Sequence, residues 1–183
     1  MNRPIRLSKK YGLEGPCYRS RGLPLVFVDL GKRKVGWAVF RDEELAACAT
    51  TSIPNGVLWD AELVAMLVVD AIRRVPGGGA PRTLDWVCEW PVLRQNFRVA
   101  LKDIEDLQEV GRLLGTIHGG WKEKYRPSEW KGTIPKPVHH NRVAALLSPS
   151  ELALCPARSQ HDTWDAVAGG LYAVGRCGVA GAS

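Results

Sequence analysis

Residues 25–41, LVFVDLGKRKVGWAVFR, decide the fold of this chain. Leu25–Val28 is a short, β-rich apolar run that closes on an acid, Asp29. LGKRK then makes a charged turn, and Val35–Arg41 resumes as a second strand. Glu44–Thr51 reads as a third, so the close spacing predicts an antiparallel meander. An acid that ends an apolar strand points to the rim of a sheet, where clefts form. That position is the thread to follow.

Outward from the hairpin, Trp59–Val75 has helical period, with Leu63, Met66, Leu67 and Ala71 near one face. Pro76–Pro81 (PGGGAP) breaks the chain. Thr83–Glu89 follows as a fourth strand and again closes on an acid, Glu89. A long helix is predicted from about Arg98 to His118. Leu101, Ile104, Leu107, Val110, Leu114 and Ile117 form its apolar stripe, and Lys102, Asp103, Glu105, Asp106 and Glu109 its polar face. Lys122–Tyr125 fits a short fifth strand, and Asn141–Leu147 and Asp162–Arg176 two further helices. This order implies an α/β fold, a mixed sheet with helices on both faces.

A chain of 183 residues is one ordinary domain, long enough to bury a core without staples. Arg3, Arg6, Lys9, Lys10, Arg19 and Arg21 crowd a stretch with little periodicity, so residues 1–22 read as a basic, flexible arm. Residues 23–177 form the expected folded domain and 178–183 a frayed tail. Lys and Arg number 25 against 19 Asp and Glu, a net charge of +6 that favours a polyanionic partner. No apolar run approaches the roughly 20 residues of a membrane helix, and the first residues lack a secretory signal, so a cytoplasmic protein is expected. Five cysteines (Cys17, Cys48, Cys88, Cys155, Cys177) are scattered and odd in number, without a C-x-x-C pair. That argues for reduced structural thiols over zinc or a disulfide framework.

Beyond Asp29 and Glu89, Asp162 and Asp165 sit one helical turn apart in HDTWDAVAGGLYAVGR and share a face. If both strand ends meet that helix, the carboxylates cluster and repel one another. Divalent cations remove the penalty, and carboxylate oxygens are the hard ligands Mg²⁺ prefers. Two ions roughly 3.5–4 Å apart can activate water and stabilise the leaving oxygen in phosphodiester hydrolysis. Singly, each acid has a plainer use: a strand-end Asp forms turns, Asp162 caps a helix, and Asp165 is a favoured first-turn charge. Four acids in this order favour the chemistry.

VFVDLGKRKVGWAVF resembles the opening hairpin of RuvC-type Holliday-junction resolvases of the RNase H-like superfamily, with Asp29, Gly31 and Gly36 on its D-x-G-x(4)-G pattern. DWVCEWPV is similar to the family's second acidic strand, with Glu89 at the metal position. DLQEVGRLLGTIHGG resembles the next helix, where Gly111 and Gly115 permit close packing. RPSEWKGTIPKPVHHNRV resembles a P…K-x(4)-K segment that puts Lys131 and Lys136 near the substrate, and HDTWDAVAGGLYA the closing D-x-x-D-A helix. The resemblance covers roughly residues 24–176. It implies a five-stranded RNase H-like sheet and a crossover junction endodeoxyribonuclease serving DNA recombination or repair. It further implies two Mg²⁺ ions per active site, with Mn²⁺ able to substitute, held by Asp29, Glu89, Asp162 and Asp165. A homodimer joined through the helix at about 98–117 would cut a four-way junction symmetrically. Some resolvases carry His at an acidic position, so either His161 or Asp162 faces the metal. The WKGTIPK wording and compact chain look like a phage version.

Lys32, Arg33 and Lys34 in the hairpin turn, with Lys131, Lys136, His139, His140 and Arg142 between the second and third acid segments, are DNA-contact candidates. Phe97, Trp90 and Trp130 could stack on unpaired bases. The plainer alternatives are a solvated turn, His139 and His140 capping a helix, and aromatics packing the cleft walls; the last is preferred for Trp130 and Trp37. Two rival functions stand: a related nuclease acting on flaps, forks or RNA, as in YqgF-type enzymes, and a non-catalytic basic DNA-binding module. Four acids argue against the module, because unmetallated carboxylates repel phosphates. An actin-like ATPase would need a longer chain for two lobes.

Overall fold

The computed structural model describes residues 5–6, 16–17, 22–75, 79–91, 101–126, 130, 135–157 and 159–176. Within the basic N-terminal segment, β1 (Ile5–Arg6) and β2 (Pro16–Cys17) pair as a separate antiparallel ribbon. The main sheet contains β3 (Leu25–Asp29), β4 (Lys34–Arg41), β5 (Glu44–Ser52), β6 (Asp85–Glu89) and β7 (Glu123–Tyr125). Its order is β5-β4-β3-β6-β7. The first three strands form the expected antiparallel meander, while β6 runs parallel to β3 and β7 parallel to β6. The helices are α1 (Ala61–Arg74), α2 (Leu101–His118), α3 (Lys136–Leu146), the short α4 (Pro149–Leu152) and α5 (His161–Ala173).

Period-two alternation along the strands builds two cores. Leu25, Phe27, Ala38, Phe40 and Val87 pack beneath α5 together with Trp130, Trp164 and Leu171. Val26, Val28, Val35, Trp37, Val39 and Trp86 face the opposite way, toward Val64 and Val68 of α1 and Val110 and Leu114 of α2. Helices thus cover both faces of a mixed five-stranded α/β sheet, as expected. Trp37 and Trp130 are core residues, 3% and 1% exposed, in keeping with the packing role preferred for them. From Thr163 to Ala173, α5 is buried all round. A Cβ at Gly169 or Gly170 would overlap the rings of Phe27 and Phe40, so these two glycines let the helix sink onto the sheet. No helix among the described residues is long and apolar enough to cross a membrane.

Several boundaries and faces differ from expectation for definable reasons. The buried stripe of α1 is Ala61, Val64, Ala65, Val68, Val69 and Ile72, and Met66 faces outward at 57% exposure. Small and β-branched residues fit the narrow seat on the sheet, so the longest side chains were the wrong guide. Leu101 is likewise exposed on α2, and Asp106, expected on the polar face, is buried beneath a lysine. Thr83 belongs to a 3₁₀ turn, Pro81–Thr83, ahead of β6. Helix α3 begins at Lys136, before the expected Asn141, because Pro137 lies in its first turn, where a missing N–H costs nothing. Ser148 and Glu151 form a reciprocal capping box around α4.

Candidate active site

The acidic corner is assembled by backbone register. Asp29 and Glu89 are partners on the adjacent parallel strands β3 and β6. Alternation puts both on the side of Phe27 and Val87, the face that α5 covers. Both are half-buried. On the other flank, Asp29 pairs with Gly36 of β4. A Cβ at Gly36 would overlap the backbone carbonyl oxygen of Asp162 and lie 3.2 Å from the amide nitrogen of Thr163. The first turn of α5 therefore rests directly on the strand beside Asp29, and only glycine permits that approach. Thr163 Oγ1 lies 2.7 Å from Thr50 Oγ1, and Thr50 is the β5 partner of Gly36. Three segments far apart in the chain thus meet at one end of the sheet.

Within this corner Asp165 is 2% exposed. Its Oδ1 lies 3.0 Å from Nε2 of His140, and its Oδ2 3.0 Å from Nζ of Lys136. Lys136 and His140 both stand on α3, one turn apart, so a single helix supplies both partners. Asp162 is half-buried at the start of α5. His161 is exposed, its ring centroid 5.4 Å from that of His140. Among the described residues, no three His, Cys, Asp or Glu side chains converge closely enough to hold a metal ion as they stand. The donor set fits a hard divalent cation in ligand type and in backbone placement. Its side chains are not gathered around one, and Asp165 already has a lysine ammonium and an imidazole beside it.

The expected DNA contacts divide sharply. Lys32 Nζ lies 3.0 Å from Asp103 and 2.6 Å from Asp106 of α2. The hydrogen bond to Asp106, then that to Asp103, raises its pKa. This lysine, expected on the DNA side, is paired inside the protein. Its carbonyl also accepts a 2.7 Å hydrogen bond from Trp59 Nε1. Arg33 and Lys34 are exposed, as is Arg142 on α3. His140, also expected on the DNA side, is instead 2% exposed and bound to Asp165, because α3 starts a turn and a half early and turns it inward. Lys131 and Phe97 lie outside the described residues.

One contact at the corner had no signature in the sequence. Lys124 Nζ sits 3.7 Å from the ring centroid of Trp90, the residue after Glu89. The Trp90 backbone amide donates to the carbonyl of Tyr125 at 2.8 Å, which holds this residue beside β7. A Cβ at Gly111 would lie 2.8 Å from that indole and 3.0 Å from Leu30. Gly111 therefore allows α2 to close against Trp90, the packing role expected of it. Only the β6–β7 register brings Lys124 to this ring. No local pattern encodes it.

No family model matches the chain, and no curated protein matches it in sequence. Its shape does match solved structures. A structure of Thermus thermophilus RuvC superposes with a TM-score of 0.52 and 14% identity, covering 81% of this chain and 92% of that one. T. thermophilus RuvC in complex with a Holliday junction substrate superposes with a TM-score of 0.50 and 14% identity, covering 81% of this chain and 90% of that one. At that identity the likeness is one of fold. The chain has the RNase H-like, RuvC-type architecture.

Proposed function

We propose that this chain is a metal-dependent, structure-specific endonuclease that cuts phosphodiester bonds in branched DNA, with the four-way junction as its first substrate. The reading rests above all on the in-register pair Asp29 and Glu89, with the first turn of α5 seated against Gly36 beside them. The fold adds support, since one similar protein, T. thermophilus RuvC, is known in complex with a Holliday junction substrate. In this proposal Asp29, Glu89, Asp162 and Asp165 hold two Mg²⁺ ions, or Mn²⁺ in their place, and the chemistry supplied there is activation of water and stabilisation of the leaving oxygen.

The chain's own residues do the rest. His140, buried against Asp165, orients that carboxylate as an outer hydrogen-bond partner does for a ligand. Lys136 offsets the local negative charge, and its half-exposed stem allows it to turn toward a phosphate. Lys131, Arg33, Lys34 and Arg142 supply the remaining cationic surface, consistent with the net charge of +6. Symmetric cutting of a junction calls for two active sites, so a homodimer belongs to the same proposal.

The test is direct. Purified protein with Mg²⁺ or Mn²⁺ is expected to cut a four-way junction far faster than linear duplex of the same sequence. Asp29→Asn is expected to abolish cutting while leaving junction binding intact. Equal cutting of duplex would redirect the reading to a general nuclease, and preferred cutting of flaps, forks or RNA to a related one. Binding without cleavage in either metal would leave the basic binding module, and undiminished cutting by Asp29→Asn would remove the acids from the chemistry.

A further inference from the structure

Cys48 lies in the middle of the edge strand β5, and its register partner Ala38 belongs to the core beneath α5. Cys155 follows α4, about a hundred residues further along the chain. Their side chains nevertheless meet. The two thiols are close enough for one to perturb the other. The Cys48 thiol also reaches the carbonyl oxygen of Leu154, the residue bonded to Cys155, at 3.5 Å. Cys155 Sγ lies 3.6 Å from the carbonyl oxygen of Glu151. Both thiols are reduced, half-buried and packed against the edge of the same core.

A fixed frame holds them opposite one another. On one side, Glu151 accepts the Leu45 amide at 2.7 Å and ties α4 to the start of β5. On the other, the Thr50–Thr163 hydrogen bond ties β5 to α5. Cys88 is fully buried in the opposite core and faces away from both. Trp164 Nε1 donates at 3.3 Å to the carbonyl of Pro156, the residue after Cys155, so a bond at Cys155 would act close to the entry of α5.

We infer that Cys48 and Cys155 form a redox-switchable pair whose disulfide ties the edge strand β5 to the segment leading into α5. The oxidant is a low-molecular-weight disulfide of the glutathione class. One protein thiol loses its proton and attacks the small disulfide, which releases one small thiol and leaves a mixed disulfide. The second protein thiol then attacks the mixed disulfide at the protein sulfur and releases the second small thiol. The protein loses two protons and two electrons, and the small disulfide gains them. Contact with Cys155, together with burial, pushes the Cys48 thiol up, so closure is slow at neutral pH and quickens as pH rises. The proposal is independent of the nuclease reading.

The full chain is equilibrated across mixtures of oxidised and reduced glutathione, then digested without reduction and mapped. The expected product is a cross-linked Cys48–Cys155 peptide, lost again on treatment with dithiothreitol, with Cys88 unmodified. Closing so long a loop is expected to raise the melting temperature by about 10 °C. Cys48→Ser and Cys155→Ser, each alone, should carry glutathione on the surviving partner and lose the rise. Cys17→Ser combined with Cys177→Ser should still form the cross-link. Absence of the Cys48–Cys155 peptide at every mixture, or its replacement by a different pair, overturns the inference.

Discussion

Glu151 and Asp165 are both buried acids beside the core under α5, and their partners differ in kind. Glu151 accepts from the Arg176 guanidinium through both oxygens, from the Leu45 amide at 2.7 Å and from the Ser148 amide at 2.8 Å. Arg176 is itself held by the carbonyls of Glu43 and Leu146. All these donors are backbone or anchored, and the guanidinium holds the Glu151 carboxyl down to about 2. Asp165 has instead a lysine whose side chain is 55% exposed, and an imidazole. An ammonium on a flexible stem can leave, whereas a saturated fork cannot. Burial therefore does not separate a structural acid from a functional one. The freedom of its partners does.

The largest effect that tests this contrast is on cleavage. Asp165→Asn is expected to abolish junction cutting while the melting temperature moves by only a few degrees, since the amide oxygen still accepts from one partner and the exposed Lys136 can turn away to solvent. Glu151→Gln should do the reverse, lowering stability by about 3–5 kcal/mol because it leaves Arg176 without its carboxylate, with cutting preserved at low temperature. Unfolding curves and single-turnover rates on both variants decide it. Interchanged outcomes would break the comparison.

Acid titration gives effects of about 3 kcal/mol each, with separate windows. His118 stacks on Trp86 at 4.5 Å between centroids and meets Trp121 edge-on, and burial pushes its pKa down to about 4 from 6.5. With the folded value depressed, stability is complete above 6.5; below that the unfolded chain binds a proton the folded one refuses, and the loss levels off below about 4. Glu151 also has a depressed folded value, so its contribution is complete above 4.5 and is lost as pH falls toward about 2. Melting temperature followed from neutral to acid pH should fall in two stages. His118→Phe should remove the upper one and Glu151→Gln the lower.

A smaller effect probes the frame. Gly36→Ala would force a methyl into the Asp162 carbonyl, and a loss of about 1–3 kcal/mol is expected, with slower cutting. A silent Gly36→Ala would mean that α5 does not rest on β4. Smallest is the contrast between lysines. Lys32→Ala, at a lysine paired with Asp103 and Asp106, should leave the salt dependence of DNA binding unchanged. Lys131→Ala should flatten it by about one counterion. A flattened slope for Lys32→Ala would return that residue to the DNA side.

Much of this was legible in the linear chain because it is local. β-rich runs marked the strands, turn chemistry the hairpin, and the acids closing two of those strands the rim of the sheet. What the chain hid was who meets whom. His140 reads as an exposed base until α3 begins at Lys136 and turns it onto Asp165. Lys32 reads as a DNA contact until α2 brings Asp103 and Asp106 beneath it. Lys124 and Trp90, like Cys48 and Cys155, share no pattern at all.

By itself the sequence determined where β-rich runs stop, that two acids close such runs and that two more share one face of a late helix, since these follow from local composition and from repeats of three to four residues along one backbone. Only the tertiary structure decided the neighbours of each acid, lysine and thiol. Contacts across a hundred residues depend on strand register and on how deeply a helix seats, and at Gly36 that depth turns on a single missing Cβ.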